Sequence, residues 1–151
     1  MGRWRKQSHV LWQCTYHIVW CPKYRFRILT GDVGTFVERA VRSMCEWKGA
    51  EVLELKVLAD HVHLVVDMPP RESVADLMGL LKGKTAIKLF KSYQGLRKKP
   101  YWGNHFWSRG YCVSTVGVDE EQIRKYVRYQ EDGKRKEEEE QRQCGLFERP
   151  R

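Results

Sequence analysis

The stretch Leu53-Glu54-Leu55-Lys56-Val57-Leu58-Ala59-Asp60-His61-Val62-His63-Leu64-Val65-Val66-Asp67 decides how this chain folds. Val52–Leu58 and Val62–Val66 are rich in branched apolar residues and read as two strands joined near Ala59-Asp60, a hairpin. Two histidines, His61 and His63, stand one residue apart where the second strand begins. Side chains at i and i+2 of a strand share a face, roughly 6–7 Å apart. Two imidazoles therefore lie side by side on a sheet, where packing alone gives no reason for them. They are candidate metal ligands.

Upstream, Val10–Trp20 reads as a strand ended by Cys21-Pro22. Thr30-Gly31-Asp32 opens a helix with Val33, Phe36, Val37, Ala40, Val41 and Met44 at helical spacing, and Gly49 closes it. Downstream, Met68-Pro69-Pro70 breaks the histidine strand. Ser73 caps a helix that runs to about Tyr93, weakened by Gly79 and Gly83 by roughly 1 kcal/mol each relative to alanine. Residues 95–104 read as loop and Tyr111–Val116 as a strand. Asp119-Glu120-Glu121-Gln122 resembles a capping box, opening a last helix through Ile123, Tyr126, Val127 and Gln130. The order is β-α-β-β-α-β-α. Its first six elements match an α+β, ferredoxin-like antiparallel sheet with helices on one face and the first and third strands at its centre. The C-terminal helix is an addition that carries Tyr126. Residues 1–132 form the expected domain and 133–151 a charged tail, solvated or disordered.

With 151 residues and 42% hydrophobic content the chain can bury one core. No apolar run approaches the roughly 20 residues of a membrane span. The basic start lacks the apolar stretch of a signal peptide. Five cysteines, an odd number without a CxxC pair, read as free thiols in a reducing cytoplasm. The net charge of +9 is segregated. No acid precedes Asp32 and none lies between Asp76 and Asp119, yet these two segments hold half of the 28 basic residues. Arg25, Lys82, Lys84 and Arg109 lie there and are the candidate DNA contacts. Trp12, Trp20, Tyr24, Tyr93, Trp107 and Tyr111 are interleaved with them. Cations with stacking rings suit single-stranded nucleic acid.

Tyr126 and Gln130 are four residues apart and share a helix face. A tyrosine can attack a phosphodiester, giving a phosphotyrosine and a free 3′-hydroxyl, a step that needs a metal to neutralise phosphoryl charge. Two imidazoles and an amide oxygen leave coordination positions open for phosphate oxygens. Imidazole favours Mn²⁺ over Mg²⁺ by softness, whereas abundance favours Mg²⁺. Taken singly, each of these residues is a common structural feature.

Together they carry a resemblance. Val19-Trp20-Cys21-Pro22-Lys23-Tyr24-Arg25, Asp60-His61-Val62-His63-Leu64-Val65-Val66, Leu80-Leu81-Lys82-Gly83, Phe106-Trp107-Ser108, Tyr111, Ser114-Thr115-Val116-Gly117 and Tyr126-Val127 with Gln130 occur in family order. Over roughly residues 10–131 the chain resembles the IS200/IS605-family single-tyrosine HUH transposases. Ala59 replaces a usual proline and Val127 a frequent isoleucine. The resemblance implies His61, His63 and Gln130 as ligands of a divalent metal, Mg²⁺ or Mn²⁺, and Tyr126 as the nucleophile that takes the 5′-phosphate. Tyr129 is adjacent to Gln130 and faces about 100° away on the helix. The resemblance also implies a homodimer that shares active sites between subunits, binds hairpins at element ends, and cleaves and rejoins single-stranded DNA. The rivals are a non-cleaving hairpin DNA- or RNA-binding protein derived from this family and a phosphohydrolase acting through activated water. His17 is expected to be a packed or hydrogen-bonded strand residue.

Overall fold

The computed structural model describes residues 4–96 and 105–115. They form an α+β unit with a four-stranded antiparallel sheet, a small N-terminal hairpin and two helices. The hairpin pairs β1 (Arg5–Gln7) with β2 (Val10–Trp12). The main sheet contains β3 (Thr15–Trp20), β4 (Glu51–Leu58), β5 (His61–Asp67) and β6 (Cys112–Thr115) in the order β4-β5-β3-β6. The helices are α1 (Gly31–Trp47) and α2 (Val74–Ser92).

The hairpin of the central stretch is present, with Leu58 paired to His61 across the two-residue turn Ala59-Asp60. The expected strand Val10–Trp20 is not continuous. It breaks at Gln13-Cys14 because its partner runs out: Thr15 pairs with Asp67, the last residue of β5, and Pro69 beyond it has no N–H to donate. Residues 10–12 fold back on residues 5–7 instead. Asp67 fixes this corner. Its buried carboxylate accepts from Arg5 Nε at 2.9 Å and from the backbone N–H of Cys14 at 3.1 Å, and Arg5 also pairs with Glu51.

Both helix ends follow from local sequence. Ser73 Oγ accepts from the backbone N–H of Asp76 at 3.0 Å and caps α2. Gly49, at φ +75°, takes the left-handed turn that ends α1.

Strand periodicity separates two faces. Ile18 and Trp20 of β3, Val62, Leu64 and Val66 of β5 and Leu55 of β4 are buried in one core with Val37, Val41 and Met44 of α1 and Leu77, Leu81 and Leu89 of α2. The helices thus cover this face. His17, Val19, His61 and His63 take the alternate positions, opposite the helices. Val19 pairs with His63 and His17 with Val65, so the histidines of both central strands share that second face.

Beyond residue 96 the described chain resumes at His105. Phe106 and Trp107 are buried, and Trp107 Nε1 donates to Thr85 Oγ1 of α2 at 2.8 Å. The expected last helix, with Tyr126 and Gln130, and the expected boundary at residue 132 lie outside the described residues, as do Arg97, Lys98 and Lys99.

Candidate active site

His61 and His63 are partly exposed at the start of β5. The turn that reverses the chain into β5 also supplies Asp60, whose Oδ1 lies 2.8 Å from His61 Nδ1. The hydrogen bond with His61 holds the Asp60 carboxyl below its ordinary range, and Arg25 adds to the effect. An ionised carboxylate only accepts, so Nδ1 carries the proton and donates. In the neutral ring, Nε2 then keeps its lone pair free. Asp60 Oδ2 accepts from Arg25 Nη2 at 3.2 Å.

His63 is held differently. Its ring packs against His17, with centroids 4.1 Å apart and planes tilted by 56°. Burial, and secondarily the neighbouring His17, pushes its pKa down. A depressed pKa favours the neutral imidazole, the form that ligates metals. The ring of His17 is packed, as expected, but among the described residues its buried Nε2 has no hydrogen-bond partner.

An open groove of about 540 Å³ runs past His61. Arg25 and Cys21 line it from the exit of β3, and Ser108, Arg109, Gly110 and Tyr111 line it from the segment before β6. Backbone bonds fasten these walls together: Ser108 N–H donates to Cys21 O and Lys23 N–H to Phe106 O, both at 2.9 Å. Lys82 reaches over from α2 and donates to Ser108 O and Gly110 O, each at 2.8 Å. Burial lowers its ammonium pKa. Of the four candidate DNA contacts, Lys82 is therefore engaged in bracing the groove wall. Gly110, at φ +77°, permits the turn that brings its carbonyl there. Arg25 and Arg109 are exposed at the groove, and Lys84 is exposed on α2.

The turn that presents Arg25 is strained. Tyr24 (φ 59°) and Arg25 (φ 53°) both occupy the left-handed region, about 1–2 kcal/mol each for non-glycine residues. The Lys23–Phe106 bond and Arg25 N–H to Pro22 O at 2.8 Å over-determine it.

Among the described residues no group of three His, Cys, Asp or Glu side chains is placed to hold a metal. His61 and His63 offer two imidazole nitrogens on one strand face, which suits a divalent ion completed by a donor from elsewhere. Tyr126 and Gln130, the two other expected site residues, lie outside the described residues. Sequence reasoning missed Asp60 and the bracing role of Lys82. The signal for Asp60 was a carboxylate in a two-residue turn, immediately before a ligand-type histidine.

Residues 10–130 match the family model described as "Transposase IS200 like". The chain is 40% identical over 130 residues to the transposase for insertion sequence element IS200 of Salmonella typhimurium, covering 86% of this chain and 85% of that one. It is 35% identical over 129 residues to the ISDra2 transposase TnpA of Deinococcus radiodurans, covering 85% and 91%. Among solved structures, a candidate transposase from Deinococcus radiodurans R1 superposes with a TM-score of 0.68 at 29% identity, covering 85% of this chain and 96% of that one. A REP-associated tyrosine transposase bound to a REP hairpin shares the fold at a TM-score of 0.50 and 14% identity, covering 82% and 68%.

Proposed function

The chain belongs to the IS200-like transposase family, and on that premise we propose that it binds hairpins at element ends and cleaves and rejoins single-stranded DNA through a 5′-phosphotyrosine. The observation that carries this reading is the histidine pair: His61, hydrogen-bonded through Nδ1 to Asp60, lines a groove that Arg25 and Arg109 also line, and His63 stands two residues along the same strand face. The hairpin-bound structural neighbour supports a hairpin partner.

In this reading Tyr126 Oη forms a bond to the scissile phosphorus as the bond to the 3′-oxygen breaks. The departing strand takes a proton and leaves as a 3′-hydroxyl. Rejoining reverses the step with a second 3′-hydroxyl, so the phosphate bond is conserved and no nucleotide triphosphate is consumed. A divalent metal, Mg²⁺ or Mn²⁺, held by His61, His63 and Gln130, supplies charge neutralisation at that phosphate. Arg25, Lys84 and Arg109 meet the strand's phosphates, while Lys82 holds the groove wall in place. The strand order β4-β5-β3-β6 supports a ferredoxin-like frame to which a tyrosine helix is added, and the active unit is a homodimer that shares its two sites. The protein works in the cytoplasm, consistent with free thiols at Cys14, Cys21, Cys45 and Cys112.

The test is a labelled hairpin oligonucleotide incubated with the protein and Mn²⁺ or Mg²⁺. A protein–DNA adduct that survives denaturant is expected, lost in Tyr126→Phe while hairpin binding persists. An adduct that persists in Tyr126→Phe and disappears in Tyr129→Phe moves the nucleophile to Tyr129. Binding without any adduct favours the non-cleaving alternative.

A further inference from the structure

The contacts around His61 continue outward through Asp60 to Arg25. Asp60 stands between His61 Nδ1, at 2.8 Å from its Oδ1, and Arg25 Nη2, at 3.2 Å from its Oδ2. Each carboxylate oxygen has a side-chain partner, so the carboxylate plane is held from both ends. Arg25 in turn is aimed by a strained turn. Tyr24 and Arg25 adopt consecutive left-handed conformations that side chains rarely accept, and backbone bonds to Pro22 and Phe106 keep them there. Strain of this kind persists where the surroundings impose it, and it gathers at functional sites.

We propose that Arg25 and Asp60 form a positioning relay for His61, in which the strained turn aims the guanidinium, the guanidinium orients the carboxylate, and the carboxylate fixes the imidazole as the Nδ1–H tautomer with Nε2 turned to a metal. The proposal rests on the reading of His61 as a metal ligand. It gives Arg25 a second task besides meeting phosphate. It also separates the two ligands: His61 is held by hydrogen bonds, whereas His63 is held by packing against His17. Carboxylates on the far nitrogen of a ligating histidine typically contribute 10–100-fold in metal affinity. The Arg25–Asp60 pair is largely exposed, so its own share is small.

Two measurements on the full-length, metal-free chain test the relay. The first is nitrogen NMR of ¹⁵N-histidine-labelled protein. His61 is expected as the Nδ1–H tautomer in the parent, mixed in Asp60→Ala and closer to the parent in Asp60→Asn. A His61 that carries its proton on Nε2 in the parent overturns the relay. The second is Mn²⁺ binding followed by electron paramagnetic resonance without DNA. Asp60→Ala should raise the dissociation constant by about tenfold or more. Arg25→Gln should raise it by about two- to threefold, with Arg25→Lys recovering part of the loss. Arg25 acting on DNA alone leaves Mn²⁺ binding unchanged, and that result also overturns the relay. His61→Ala is the control. If it leaves Mn²⁺ binding unchanged, the metal site itself falls, and the tautomer spectra still decide the relay. Circular dichroism of each variant separates these outcomes from unfolding.

Discussion

The two faces of the central sheet are made by the same strands yet do opposite work. On β5, Val62, Leu64 and Val66 are fully buried against the helices, while His61 and His63, at alternate positions, look away from that core. The covered face gains its stability chiefly from area removed from water, with Thr85 and Trp107 satisfying each other inside it. The other face bears the imidazoles of His17, His61 and His63, with the Asp60 turn at its edge, and carries the candidate site. A shift of register by a single residue would exchange the two sets. The strand pairing of β3, β4 and β5 therefore specifies the site as strictly as it specifies the core.

Substitutions at neighbouring positions test this division. His63→Ala should reduce metal-dependent cleavage by more than about 100-fold, beyond what loss of a supporting contact costs, while moving the urea midpoint little. A large loss of stability in this variant would show that the histidine face is also structural. One residue on, Leu64→Ala should lower stability by about 3 kcal/mol, and the protein that remains folded should cleave at the parental rate. Arg5→Ala probes the corner where the faces meet. It strands the buried Asp67 carboxylate with only the Cys14 N–H, and about 2 kcal/mol of stability should disappear in denaturant melts.

The last effect, absent at neutral pH and building only in alkali, concerns Cys45 in the covered core. Burial pushes its thiol up to about 12. The unfolded chain ionises this thiol near pH 8.5 and the folded chain does not, so the folded state binds the extra proton. Stability should therefore fall by up to about 1.4 kcal/mol per pH unit between roughly pH 8.5 and 12. Melts of Cys45→Ala should lack that decline. At pH 8, Cys45 should resist a disulfide-exchange reagent while the exposed Cys112 reacts.

Much of this was legible in the chain itself. The His61-Val62-His63 spacing placed both rings on one face, and the apolar alternation of β5 put that face opposite the core. Ser73 and Gly49 marked helix ends through local hydrogen bonding and left-handed backbone, which are properties of single residues. The break at Gln13-Cys14 was illegible because it depends on where β5 stops, more than fifty residues later. Asp60 and Lys82 were obscured for a related reason. Asp60 looked like turn punctuation, and Lys82 like one more cation on a basic helix. Their partners are set by a side chain's reach across space rather than by spacing along the chain.

The strand order has a further consequence for the newly made protein. β3 lies at the centre of the sheet, yet it is synthesised before β5 and β6, the strands that flank it. Its second edge stays open until β6 emerges roughly 90 residues later, about 5–20 s at ordinary rates of synthesis. During that interval the apolar run Tyr16–Trp20 is an unpaired template for other chains, and the nearby Lys23, Arg25 and Arg27, with no acid among them, repel a second copy. The cations that follow β3 would thus first guard the central strand itself. Nascent chains arrested before Cys112 should aggregate more readily when those three residues are neutralised.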